Sequence, residues 1–264
     1  MSIDSAARVS TKANLGSNVS IGPFTIVEDG AVIGDGTSIA ANALIGKGAR
    51  IGKNCKIHHG AVVGHEPQDL KYAGEPTICE IGDRTIIREY ATVHRGTVDG
   101  GRTAVGSDCL VMAYVHIAHD CLIGNKVIIA SGAMMAGHCE MEDHVTIGGL
   151  AAIHQFVRVG CHAMLRGGSR VGKDIPPYVL AGLEPLVFGG LNSVGLRRRG
   201  FSPETMAILD RVYNIIYNSK LNVTQALERI RQDDSLATVP EVQHIVAFIA
   251  SSKRGIIPAL RSRR

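Results

Sequence analysis

Aliphatic residues recur at every sixth position along the first two thirds of the chain. The series begins Val9, Leu15, Ile21, Val27, Ile33, Ile39, Ile45, Ile51, Ile57 and Val63, resumes at Ile81, Ile87 and Val93, and runs on from Val105 to Val171. Of 28 slots, 25 hold Ile, Val, Leu or Met; Asp69, Glu75 and Asp99 interrupt the run. Glycine follows the aliphatic in 12 of those repeats, and a small residue such as Ala13, Ala31, Cys55 or Ala133 stands four positions after it. A helix needs a period of 3.6 and an ordinary strand a period of 2, so neither produces sixes. A six-residue period fits a short strand and a tight turn that form one flat side of a coil, with the aliphatic and small positions both inward. Three sides close an eighteen-residue turn. The pattern predicts a parallel β-helix of nine or ten coils, stacked at roughly the 4.8 Å spacing of neighbouring strands.

The expected fold class is an all-β, left-handed parallel β-helix with a C-terminal α-helical cap, the hand being that of known hexapeptide prisms and opposite to the usual crossover. Two stretches leave the period yet preserve its phase on both sides. They are read as loops ejected from an intact prism, at about 64–80 and 94–104. Loops on a rigid scaffold are common carriers of binding residues. Pro176-Pro177 ends the period, which sets a first domain at 1–177 and a second at 178–264. Residues 178–200 read as an irregular, Gly-rich linker. Ser202-Pro203-Glu204 has the N-cap and first-turn proline of a helix start, and apolar spacing carries that helix to about Ser219. Two more helices are expected over 223–232 and from Pro240 towards Ser251.

Composition narrows the class of function. No apolar window is long enough for a membrane span, and the first residues lack a basic and then apolar leader, so a cytoplasmic protein is expected. Residues 185–264 carry 12 Lys and Arg against 6 Asp and Glu, whereas the remainder is slightly acidic. A basic C-terminal part suits an anionic ligand or an acidic partner. Nucleic acid ranks low, because only 4% of residues are aromatic and no recognition motif is visible.

Cysteine and histidine read differently against the repeat. Cys55, Cys79, Cys109, Cys121 and Cys139 fall on the small inward phase, so they are packing residues rather than disulfide or zinc ligands. None of the ten histidines of the repeat region falls on an inward phase. A solvated face is the plain alternative to a functional role for His58, His65 and His162. Residues eighteen apart stack on adjacent coils, so Gly137 lies over His119, Gln155 over Gly137, and His138 one residue from the position above His119. This column is a candidate polar cleft.

Several motifs then agree in order and spacing: Gln68-Asp69-Leu70-Lys71-Tyr72, His94-Arg95-Gly96, His116-Ile117-Ala118-His119-Asp120, Ala136-Gly137-His138, Ile153-His154-Gln155-Phe156 and Arg198-Arg199-Gly200-Phe201. Over essentially its whole length the chain resembles the UDP-N-acetylglucosamine acyltransferases, which open lipid A synthesis. The resemblance implies transfer of a 3-hydroxyacyl group from acyl carrier protein to the glucosamine 3-hydroxyl of UDP-N-acetylglucosamine, by a homotrimer with sites between subunits. It implies His119 as general base, Asp120 as its orienting carboxylate and the Gly137 amide as oxyanion donor. Gln68, Asp69, Lys71, His94, His116, His138 and Gln155 match positions lining the sugar and acyl-donor pocket, and Asn192, Arg198 and Arg199 match the nucleotide region. Gly167 matches the position that measures the acyl chain, and glycine there leaves the groove open for a long one. No cofactor and no metal is required.

Two departures leave the acceptor open between a 3-hydroxy and a 3-amino sugar nucleotide: Val194, where the family often has Glu, and Gly182-Leu183-Glu184-Pro185, where it has a Gly-Asn stretch. The rivals are another hexapeptide acyltransferase, a noncatalytic scaffold, and a zinc enzyme similar to the gamma-class carbonic anhydrases, with ligands among His94, His116, His119 and His138. Arg254 and Arg261 are the expected meeting points for the acidic carrier protein.

Overall fold

The structure, a computed structural model, describes residues 1–259; Arg261 lies outside the described residues. Strands of mostly two residues alternate with two-residue turns and stack into three parallel sheets, the sides of a left-handed triangular prism: the first contains Ser2–Ile3, the second Arg8–Val9 and the third Asn14–Leu15. Register confirms the eighteen-residue coil, as in Ser20 beside Ser38 and Lys56 beside Ser38. It also measures the two ejected loops. Lys56 pairs with Ile86, thirty residues on, and Ile86 with Leu110, twenty-four on. The first loop therefore adds twelve residues to its coil and the second adds six.

The inward positions hold the core. Ile33, Ile45, Ile57, Ile87, Ile117, Ile129, Ile147 and Leu165 are essentially inaccessible, as are the small residues between them. Each such side chain contributes about 1.5–3 kcal/mol by leaving water. Cys55, Cys79, Cys109, Cys121 and Cys139 are buried and unpaired on that same phase. Burial pushes the Cys79 thiol up to about 12, which keeps it protonated and inert.

Residues 178–200, expected to be irregular, hold a strand pair instead. Val179–Gly182 extends the first sheet in parallel with Met164–Leu165, and Val187–Leu191 returns antiparallel to it. The reason is packing: Phe188 stacks on Tyr217 at 4.3 Å, so the returning strand buries an aromatic face that no six-residue period announces. Then come α1 (Ser193–Arg198), α2 (Pro203–Asn218), α3 (Val223–Arg231), α4 (Asp234–Ala237) and α5 (Pro240–Ala250). The expected starts of α2, α3 and α5 lie within a residue of those observed, and Ser202 caps α2 by accepting from the Thr205 amide. The short helices α1 and α4 were not anticipated. The helices dock through Tyr213, whose hydroxyl donates to the Pro177 carbonyl at 2.6 Å, and through Arg158 over the Phe248 ring at 4.5 Å. Among the described residues no helix is long and apolar enough to cross a membrane.

Candidate active site

His119 and Asp120 form the two-residue turn between the strands His116–Ile117 and Leu122–Ile123, at the corner joining the second and third sheets. The coil above repeats this corner with Gly137 and His138, and the next with Gln155 and Phe156. The His138 amide donates to the His119 carbonyl at 3.0 Å, and the Phe156 amide to the Gly137 carbonyl at 3.2 Å. Asp120 and His138 both sit in the left-handed region, with φ of 58° and 59°. That conformation costs a non-glycine residue about 1–2 kcal/mol and is tolerated here because the coil imposes it.

Within this corner His119 Nδ1 lies 2.8 Å from Asp120 Oδ2. A carboxylate in this place favours the tautomer with the proton on Nδ1, so that Nε2 is the acceptor nitrogen of the neutral ring. Nε2 faces Gly137: a Cβ on that glycine would stand 2.8 Å from it and 2.5 Å from Cε1. Only glycine lets the next coil rest on the imidazole. The Gly137 amide has no hydrogen-bond partner among the described residues. The His138 ring meets His119 edge-on, with centroids 5.2 Å apart, and stacks on Phe156 at 4.6 Å.

Below, His94 and His116 approach to 5.2 Å. The His94 Nδ1 contacts the Glu66 carbonyl, and His116 Nδ1 meets the Thr92 hydroxyl at 2.7 Å. Burial pushes both imidazoles below their ordinary values, the neighbouring His94 and His119 adding to the effect on His116. They are therefore neutral near pH 7. Neither joins the grouping in which His119, Asp120 and His138 place donor atoms within 4.8 Å of one another. Among the described residues, no three of the four imidazoles expected for a zinc site converge within that distance. Beside His116, a groove of about 540 Å³ runs up the second sheet past Met134, Ala152 and Arg170.

The remaining expected residues stand elsewhere. Gln68 and Lys71 are exposed on the first ejected loop, where Asp69 accepts from the Lys71 amide at 2.9 Å. Asn192, Arg198 and Arg199 line a separate cavity of about 680 Å³ against the first sheet, with Val194 beside them. Asn192 caps α1 and donates to the His162 carbonyl at 2.9 Å; Arg199 donates to the His144 carbonyl at 3.1 Å. Gly167 lies at the third kind of corner, where a Cβ would come 2.9 Å from the Gly149 carbonyl oxygen. The two groups of residues thus stand on different faces of a single chain.

Sequence reasoning missed the clamps. Arg95, quoted only as part of a motif, is buried and reaches the Tyr72 hydroxyl at 2.6 Å and the Lys47 and Gly64 carbonyls at 3.2 and 3.3 Å, tying the first loop to the prism. Thr97 and Thr103, at the two ends of the second loop, touch Asp120. The available signal was a loop that leaves the period directly beneath the His119 corner.

Comparison with known proteins follows the same lines. The family described as Udp N-acetylglucosamine O-acyltransferase, domain 2, matches residues 174–257, and the bacterial transferase hexapeptide repeat matches 12–47 and 102–137. An acyl-[acyl-carrier-protein]–UDP-N-acetylglucosamine O-acyltransferase of Thiobacillus denitrificans is 47% identical over 256 residues, covering 97% of this chain and 98% of the relative. The UDP-N-acetylglucosamine acyltransferase structure from Bacteroides fragilis superposes with a TM-score of 0.94 at 46% identity, over 96% of this chain and 99% of that one. The Acinetobacter baumannii structure gives 0.93 at 41%, over 97% and 99%.

Proposed function

The chain belongs to the acyl-[acyl-carrier-protein]–UDP-N-acetylglucosamine O-acyltransferase family, and from that premise we propose that its His119 is the general base of acyl transfer. The enzyme moves an acyl group from acyl carrier protein to UDP-N-acetylglucosamine in lipid A biosynthesis. The observation that carries the assignment is the His119 Nδ1 to Asp120 contact of 2.8 Å, which favours the proton on Nδ1 and turns Nε2 toward Gly137.

His119 Nε2 takes the proton of the sugar 3-hydroxyl as its oxygen attacks the thioester carbonyl carbon. The carbonyl oxygen gains the negative charge, and the Gly137 N–H stabilises it. Collapse re-forms the carbonyl and breaks the C–S bond. The departing thiolate takes the proton back from His119. Gln68, Asp69, Lys71, His94, His116, His138 and Gln155 surround the acceptor and the donor thioester. Neutral His94 and His116 suit this role, since cations there would repel a protonated His119.

Asn192, Arg198 and Arg199 hold the nucleotide diphosphate, for which guanidinium groups are matched donors. Because they stand on another face from His119, the working site is assembled between chains. A cytoplasmic homotrimer accounts for this. The acyl chain lies along the groove beside His116, with Gly167 leaving its far end open for a long 3-hydroxyacyl group. The carrier protein docks on the basic C-terminal part, where Arg254 bonds the Gly172 carbonyl at 3.0 Å.

The test is acyl transfer from 3-hydroxyacyl carrier proteins to UDP-N-acetylglucosamine, read by mass spectrometry. His119→Ala is expected to lose at least about a hundredfold in kcat, the lower end of general-base contributions. Wild-type turnover in that variant removes the assignment. If the wild-type trimer is inert with this acceptor and active with the 3-amino nucleotide, the acceptor reading changes and the base stands.

A further inference from the structure

We propose that Thr97, on the second ejected loop, is a positioning residue that aims the Asp120 carboxylate at His119. The inference rests on the general-base reading above. At regular corners of the prism, the amide of the second turn residue donates to a carbonyl of the coil beneath: Tyr114 to Glu89 at 3.0 Å, His144 to Asn125 at 2.9 Å, His138 to His119 at 3.0 Å. Beneath Asp120 that coil has been drawn out as the 94–104 loop. The Asp120 amide is met instead by the Thr103 hydroxyl oxygen at 2.8 Å.

The carboxylate is held from the other end of the loop. Thr97 donates its amide to Asp120 Oδ1 at 2.9 Å and its hydroxyl to Oδ2 at 2.6 Å. Oδ2 is the oxygen that meets His119 Nδ1, while His138 Nε2 stays 3.7 Å away, beyond hydrogen-bond reach. Gly100 closes over the group so tightly that a Cβ there would stand 2.5 Å from Asp120 Oδ1. The Asp120 side chain is 1% exposed, so no water competes for these positions.

Asp120 follows His119 directly in sequence, and adjacent side chains do not face each other unless something turns one of them. The two-pronged grip of Thr97 supplies that turn. Hydrogen bonds to an ionised acceptor are the stronger and more directional kind. Thr97 itself is buried and reaches the chemistry only through Asp120. The six added residues of this loop therefore replace a repeat with a clamp.

Thr97→Val keeps shape and the backbone donor but removes the hydroxyl; Thr97→Ser keeps both donors. The readouts are kcat, KM for each substrate, thermal unfolding, and the His119 tautomer by long-range ¹H–¹⁵N correlation. Thr97→Val is expected to lower kcat about tenfold, the size of one hydrogen bond to a charged group, with KM unchanged. It should also convert a single Nδ1-protonated His119 signal into a mixture. Thr97→Ser should restore both to near wild type. An unchanged His119 signal in Thr97→Val, or a loss that Ser does not rescue and that follows the unfolding temperature, overturns the proposal. The tautomer is read without turnover, so a failed base assignment, seen as an active His119→Ala, is told apart from a failed clamp.

Discussion

At one corner of the prism His119, Gly137 and Gln155 stand above one another, with Asp120, His138 and Phe156 beside them; at the next corner Asp143, Cys161 and Pro177 stand with His144, His162 and Tyr178. Both columns place imidazoles at the second turn position, in the left-handed region. At the second corner the rings simply stack. His144 lies on His162 at 4.6 Å and His162 on Tyr178 at 5.7 Å, with Phe201 and His244 closing the side. Burial, then the neighbouring His144 and Arg199, push His162 down to about 4, and its Nδ1 is buried with no partner. At the first corner the stack is shorter, His138 on Phe156, with Asp120 in place of a ring beneath them. His119 stands perpendicular to His138 because Asp120 turns it, and Asp120 is available because an ejected loop holds it from below. The repeat delivers a histidine to either place; what lies beneath and outside decides whether it becomes a base or filler.

Gly137→Ala breaks the first column most sharply. The backbone itself accepts a Cβ at this turn position, since Ala41 and Ala113 occupy it at another corner. The three nearest clashes are all with the His119 ring, the shortest at 2.5 Å from Cε1. Displacing a catalytic group by about 1 Å can cost roughly a hundredfold, so kcat should fall about tenfold to a hundredfold with little change in unfolding temperature. Steady-state kinetics beside calorimetry checks this. Wild-type kcat would show that the coil above does not set the imidazole's place.

The first column was legible from spacing alone, because both its members and its coil obey the period. His119, Gly137 and Gln155 fall eighteen apart, and the pattern of Ile and small residues fixes everything between them. Thr97 and Arg95 were not legible as clamps. They lie in or beside loops whose path follows no period, and a threonine hydroxyl announces a partner only once the fold supplies one. The strand pair over 179–191 stayed hidden for a related reason: Phe188 buries against Tyr213 and Tyr217 from α2, a contact made across the chain rather than along it. Asn192, Arg198 and Arg199 were found by motif, yet nothing in their spacing says that they face away from their own His119.

His162→Phe sharpens the contrast at smaller amplitude. Phe156 holds the same turn position at φ 63°, so the backbone tolerates the change, and a phenyl ring continues the stack while removing an unpartnered nitrogen. Stability should be unchanged or rise by about 1 kcal/mol by denaturant titration, with kcat retained. The same substitution at His138, beside the dyad, is expected to lower kcat. Equal losses of activity at both positions would erase the distinction between the columns.

The smallest effect separates the corners by pH. His244 of α5 joins the second column to the cap through Glu142, Nε2 to Oε2 at 2.7 Å. Hydrogen bonds with Cys161 and then Glu142 raise its value to about 10. A raised folded value means a contribution complete below the unfolded value of about 6.5 and lost as pH climbs through about 10. His162 runs the other way. Its depressed value makes the folded state pay for protonation, so its contribution is complete above about 6.5 and lost as pH falls through about 4. Stability should therefore peak near pH 6.5 and decline on both sides. The alkaline limb amounts to about 1 kcal/mol, the worth of an ion pair whose His side chain is 41% exposed. His244→Gln should flatten only that limb, and His162→Phe should reduce only the acid limb, to which His94, His116 and His144, also depressed by burial, contribute as well. Denaturant midpoints at pH 5, 6.5 and 9.5 (about the ends and centre of the two windows) decide it: an acid limb as deep in His162→Phe as in the wild type would mean that His162 is not among the groups that titrate.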